Sequence, residues 1–150
     1  MVKAIRIHDT GGPDVMKWED VDVAAPGSGE VLVRHTAVGL NFIDTYQRSG
    51  LYPLQLPAII GNEAAGVVEA VGPGVTELKA GDRVASGSGM GAYAEKRLYP
   101  AARLVKIPEG IEDRTAASMM LKGMTAQYLV KKTYAVKAGD TVLVLSLIHI

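Results

Sequence analysis

The chain has no cysteine in its 150 residues. That excludes disulfides, thiolate zinc sites and a cysteine nucleophile together, and it fits a reducing compartment. An excess of one charge is missing too. Sixteen Lys and Arg balance sixteen Asp and Glu, which leaves no electrostatic case for binding nucleic acid or an anionic membrane. Long apolar runs are also lacking. The longest, over 142–150, falls far short of the ~20 residues a spanning helix needs. The N-terminal Met1-Val-Lys-Ala-Ile-Arg-Ile-His is interrupted by charge and has no apolar core of signal-peptide length. These absences predict a cytoplasmic protein with no nucleic-acid or membrane partner.

What is present is ordinary globular composition, 48% apolar and 21% charged, in a chain long enough for one domain with a sizeable core. Glycine and proline act as scattered turn punctuation. Short strands are predicted at Val2–Ile7, 18–23, 30–38 and 64–71, after Lys79-Ala-Gly-Asp-Arg-Val, and at 91–99. Such spacing suggests a barrel or sandwich. Asn41 is placed to cap a short helix running through Arg48, its side-chain oxygen accepting an orphan N–H. A second helix is predicted from about Gly123, because Leu121, Met124, Tyr128 and Leu129 recur at helical spacing. Lys131 and Lys132 suit its C-terminal dipole. Ala138-Gly-Asp then turns into a Val-rich strand over 141–144. Helix, turn and strand in that order open a doubly wound α/β domain.

Two motifs carry a resemblance. Residues 39–53 read Gly-Leu-Asn-Phe-Ile-Asp-Thr-Tyr-Gln-Arg-Ser-Gly-Leu-Tyr-Pro, and Gly61-Asn-Glu-Ala-Ala-Gly follows. Together they resemble the catalytic domain of the zinc-free medium-chain dehydrogenases/reductases, and most closely the NADPH:quinone oxidoreductases of the zeta-crystallin type. The resemblance implies a mainly β (α+β) fold, a chaperonin-10-like (GroES-like) barrel domain over 1–122. Residues 123–150 would be the first helix and strand of a truncated Rossmann domain. Zinc-dependent relatives place Cys where Asn41 stands and His where Asn62 stands. A catalytic zinc needs about three Cys, His or carboxylate ligands, and His8, His35 and His149 lie outside these motifs. No zinc and no other metal is therefore expected.

Without a metal, hydrogen bonds must polarise the acceptor oxygen. Tyr46 and Tyr52 are phenols able to donate; taken alone, they read equally as amphipathic surface or core tyrosines. The resemblance makes Asn41, Tyr46 and Tyr52 catalytic. It makes Asn41, Phe42, Ile43, Asp44, Thr45 and Tyr46, with Thr125 and Tyr128, the contacts of NADPH. Asp44 reads as a pocket residue or as a helix N-terminal acid with a dipole role. Tyr128 reads as a cofactor contact or as core. Glu63 reads as a structural carboxylate, Gly66 and Gly72 as backbone-geometry residues, and Asp82 with Arg83 as a local ion pair.

Relatives follow 141–144 with a glycine-rich turn that admits the pyrophosphate. Here Leu145-Ser-Leu-Ile-His-Ile stands instead, with no glycine after Gly139. The expectation is a truncated chain with an atypical tail over 145–150, lacking the pyrophosphate site and inactive alone. Its parent would be a homodimer that moves hydride from NADPH to a quinone or related conjugated carbonyl. Two alternatives stand beside this: an enoyl or alkenal reductase of the same superfamily, and a non-catalytic GroES-like module.

Overall fold

The structure, a computed structural model, describes residues 1–145. Two open antiparallel sheets make up most of it. The first has the order β2-β1-β4, built from β1 (Val2–Ile7), β2 (Met16–Val21) and β4 (Ala58–Ile59). The second has the order β7-β3-β5-β6-β8, from β3 (Glu30–Gly39), β5 (Glu63–Val71), β6 (Arg83–Ser86), β7 (Lys96–Pro100) and β8 (Val105–Lys106). The segment 93–95 stitches the sheets together. Ile5 N–H donates to Tyr93 O at 2.7 Å, Glu95 N–H to Lys3 O at 2.9 Å, and His35 N–H to Glu95 O at 2.8 Å. The barrel-like enclosure therefore comes from this stitch, and neither sheet closes on itself.

The core follows from alternation. In β3, Val31 and Val33 point inward and meet Val68, Leu78 and Val84. A register shift between His35 and Ala37 then re-aims the end of the strand. Gly66 and Gly72 have ordinary backbone angles; a Cβ at Gly66 would strike Arg34 O, and one at Gly72 would strike Gly27 O. Their absent side chains provide room for close backbone approach.

Two helices sit on this frame: α1 (Phe42–Ser49) and α2 (Asp113–Tyr128). The sequence reading placed the start of the second helix about ten residues too late. The large apolar residues it followed do not drive packing: Met124, Tyr128 and Leu129 are all 45–48% exposed. Ala116 and Ala117 do, by nesting against Ala65 and Ala85, and such small residues give a weak periodic signal. The front of α2 is tied down by Arg83, which makes a salt bridge to Asp113 at 2.6 Å. A π turn, Leu129–Thr133, ends it. No strand forms over 141–144, where the side chains are exposed; an extended segment becomes a strand only by pairing, and no described strand lies alongside it. The expected tail lies outside the described residues from position 146 onward.

Candidate functional site

The site is built at the N-terminus of α1. Asn41 is the N-cap, and Asp44 closes a capping box by accepting the Asn41 N–H at 3.0 Å. Asp44 does more than serve the helix. It is only 2% exposed, and it also accepts from Asn62 Nδ2 at 2.7 Å and Tyr93 OH at 2.7 Å. Asn62 donates again to Gln47 Oε1 at 2.9 Å. Asp44 is thus neither a surface dipole acid nor an open pocket residue, but the buried hub that fixes α1 to the sheets.

Glu63 is a second buried carboxylate, with 0% exposure. It accepts from Asn41 Nδ2 at 2.7 Å and from the Leu121 N–H of α2 at 2.9 Å. Glu63 thus has the contacts of a structural carboxylate, one of them to backbone. The other face of the Asn41 amide, Oδ1, accepts from Lys122 Nζ at 2.9 Å. The two amides at Asn41 and Asn62 each donate to a buried carboxylate, which satisfies charges that would otherwise be costly. Gly39 makes this approach possible: a Cβ there would collide with Ala117 O and the Glu63 carboxylate. Gly61, at φ 91°, plays the same part for the Tyr93 ring. Burial, and then the Asp44 carboxylate, push the Tyr93 hydroxyl well above the usual phenol value, so it stays a donor.

Above this network stands an exposed aromatic ladder. The Phe42 and Tyr46 rings meet edge to face at 5.1 Å, and the Tyr46 and Tyr52 rings lie 5.3 Å apart. Tyr52 N–H donates to Tyr46 O at 3.2 Å. Phe42 and Tyr52 are 63% and 49% exposed. Ile43 and Thr45 complete the turn, with Thr45 Oγ1 donating to Phe42 O at 2.7 Å. The structure thus brings together Asn41, Phe42, Ile43, Asp44, Thr45, Tyr46 and Tyr52. Thr125 and Tyr128 stand apart on α2. Thr125 bonds back to Leu121 O at 2.8 Å, and Tyr128 is half exposed.

Reasoning from the sequence missed Tyr93, Gln47 and Lys122. No local signal marks Tyr93 or Lys122; Gln47 lay inside the quoted segment 39–53 without a role. Asp82 and Arg83 do not pair with each other. Asp82 meets Lys106 at 2.9 Å, whose hydrogen bond holds its carboxyl below the usual value, while Arg83 meets Asp113. A groove of about 520 Å³ opens beside Trp18, His35, Val38 and Tyr93. Its exposed lining is mostly apolar. Among the described residues, no three His, Cys, Asp or Glu side chains cluster as metal ligands would.

Two open sheets with a buried amide–carboxylate network between sheet and helix are the frame of a GroES-like domain. Residues 27–109 match the alcohol dehydrogenase GroES-like domain, and the chain belongs to that family. It is 51% identical over 151 residues to a 2-haloacrylate reductase from Burkholderia, covering 96% of this chain and 45% of the relative. It is equally 51% identical to a quinone oxidoreductase from Pseudomonas aeruginosa, covering 95% and 45%. The crystal structure of Escherichia coli quinone oxidoreductase complexed with NADPH superposes at a TM-score of 0.88, with 44% identity over 90% of this chain and 42% of that one. The chain thus spans under half the length of these oxidoreductases.

Proposed function

We propose that these residues form the acceptor-side half of an NADPH-dependent, zinc-free quinone oxidoreductase. The observation that carries this is the aromatic ladder Phe42–Tyr46–Tyr52 standing on a fully hydrogen-bonded network whose amides occupy the positions of Cys and His in zinc-dependent relatives. A nicotinamide is a flat ring with a carboxamide; an exposed aromatic wall with backbone and amide groups fits that end of the cofactor. When bound, the reduced ring supplies hydride. Asn41, Phe42, Ile43, Thr45 and Tyr46 would hold it, with Thr125 and Tyr128 reaching it from α2, and Asp44 would set the helix from behind. Tyr46 and Tyr52 would orient the acceptor and donate to its developing oxyanion. The binding of the pyrophosphate falls to residues beyond those described.

We assign residues 1–122 to the catalytic domain and 123–150 to the start of a nucleotide-binding domain. The last buried residues of α2, Ala116 and Ala117, precede that division, and none from 118 to 145 is buried, which supports it. One second reading has a specific support: the 51% identity to a 2-haloacrylate reductase favours a conjugated acid as an alternative acceptor. The test is Tyr52→Phe in the full-length protein. Turnover with benzoquinone should fall by up to ~10²-fold, with NADPH affinity little changed, because a transition-state hydrogen bond acts on kcat. Unchanged kinetics across several quinones would remove Tyr52 from the reaction.

A further inference from the structure

We propose that Lys122 is a further catalytic residue: its ammonium, seated on Asn41 Oδ1 beside the buried Glu63 carboxylate, binds the oxygen that becomes negative when a carbonyl acceptor is reduced. This rests on the reductase reading above and adds to it the electrophile that a site without a metal needs.

The geometry is specific. Lys122 leaves α2 and reaches the N-terminus of α1. Its Nζ donates to Asn41 Oδ1 at 2.9 Å and approaches Leu40 O at 3.4 Å. An ammonium has three donors, and among the described residues the third meets no acceptor within hydrogen-bond distance. Glu63 Oε2 lies at 3.9 Å, within ion-pair range but too long for a hydrogen bond. The side chain is 60% exposed while Glu63 is fully buried. A counter-ion serving Glu63 alone would be buried with it; this one presents its head on the open side, where Leu40 and Phe42 are 78% and 63% exposed. Asn41 couples the pieces, since one amide donates to Glu63 and accepts from Lys122. Among the described residues, the ion pairs give the two buried carboxylates Asp44 and Glu63 one cation, Lys122. An oxyanion formed here without Lys122 would be repelled by both.

The step balances as follows. The quinone gains two electrons and one hydrogen as hydride; a bond forms to the quinone as the donor C–H bond of the reduced nicotinamide breaks, and that ring is oxidised. The second quinone oxygen is left negative as a hydroquinone monoanion. It takes a hydrogen bond and then a proton from Lys122, giving the hydroquinone, and the neutral amine regains its proton from solvent.

Two readouts test this in the full-length protein. Turnover of Lys122→Met should fall ~10²-fold, the cost of losing one oxyanion donor, with NADPH affinity within about twofold. Binding of 4-nitrophenolate, followed by its colour, should weaken at least about tenfold, as expected when a charge-assisted hydrogen bond is lost, while binding of neutral nitrobenzene stays the same. Lys122→Cys alkylated with 2-bromoethylamine, which rebuilds an ammonium of nearly the same length, should regain most of both, with wild type treated in parallel as control. It also keeps the test alive if the Met variant folds poorly. Met-variant turnover within about threefold of wild type, or phenolate affinity independent of residue 122, would overturn the assignment. If wild type reduces neither quinone nor 2-haloacrylate yet phenolate binding follows residue 122, the reductase reading fails and the anion site stands.

Discussion

Acid should destabilise this domain through His35, in a window above the one where carboxylates act. His35 lies on β3 and its Nδ1–H donates to Ala94 O at 2.6 Å, so the neutral imidazole is part of the stitch between the sheets. Burial, and then the nearby Arg97 guanidinium, lower its pKa from 6.5 to about 4. Arg97 is itself buried, with its own pKa lowered to about 10 by that burial, and remains charged at neutral pH. In the unfolded chain His35 binds a proton near pH 6.5; in the folded chain it does so only near pH 4. Between these values the unfolded state holds more protons, so stability falls as pH falls, by about 1.4 kcal/mol per pH unit and about 3 kcal/mol in all. Asp82 and Asp113 act lower. Both carboxyls sit below their ordinary value of 3.8; for Asp113, burial opposes this and the Thr36 hydroxyl and Arg83 prevail. Depressed carboxylates lose their stabilisation only as pH falls through and below that ordinary value, so the interval from pH 7 to 5 reports His35. The assay is urea unfolding at pH 7, 6 and 5, on wild type and His35→Asn, which keeps a donor but cannot titrate. Wild type should lose about 2 kcal/mol across the interval, and His35→Asn should be nearly flat. A wild-type midpoint that does not move, or a variant that is just as steep, would refute the reasoning.

The network makes further demands. Asp44→Ala strands the Asn41 N–H, Asn62 Nδ2 and Tyr93 OH in a buried place, and should cost about 3–5 kcal/mol in urea unfolding; a loss below about 1 kcal/mol would show that water replaces the carboxylate readily. Gly39→Val drives a side chain against Ala117 O and Glu63, and should lower stability by about 1–3 kcal/mol and shift the Asn41 side-chain amide resonances. An unshifted amide spectrum would contradict the close approach. Tyr93→Phe removes one donor to Asp44 and should cost about 1 kcal/mol, far less than Asp44→Ala, read by the same unfolding assay.

Much of the frame was legible because its signals are local. Strand β1 matched the sequence reading at both ends, since Val2–Ile7 is a short apolar run, broken only by Lys3 and Arg6, that stops at a turn. Asn41 was legible as an N-cap, and 64–71 missed β5 by one residue. What stayed hidden depends on distant partners. Asp44 looked ambiguous because Asn62 and Tyr93, which define it, lie 18 and 49 residues away. Asp82 and Arg83 looked like a pair because they are neighbours, yet backbone alternation sends them to Lys106 and Asp113. The start of α2 was hidden because alanines do its packing. The replacement of Cys and His by two amides was plain in the sequence; that both amides serve buried carboxylates needed the fold.

Asn41 and Asn62 are proposed to organise a carbonyl-reducing site without zinc. The most direct test is full-length protein, purified with chelator and assayed for zinc, mixed with NADPH and benzoquinone and followed by absorbance against the non-enzymatic rate. The account predicts saturable NADPH oxidation at far less than one zinc per chain, unchanged when zinc is added. Activity that appears only with one zinc per chain would contradict it.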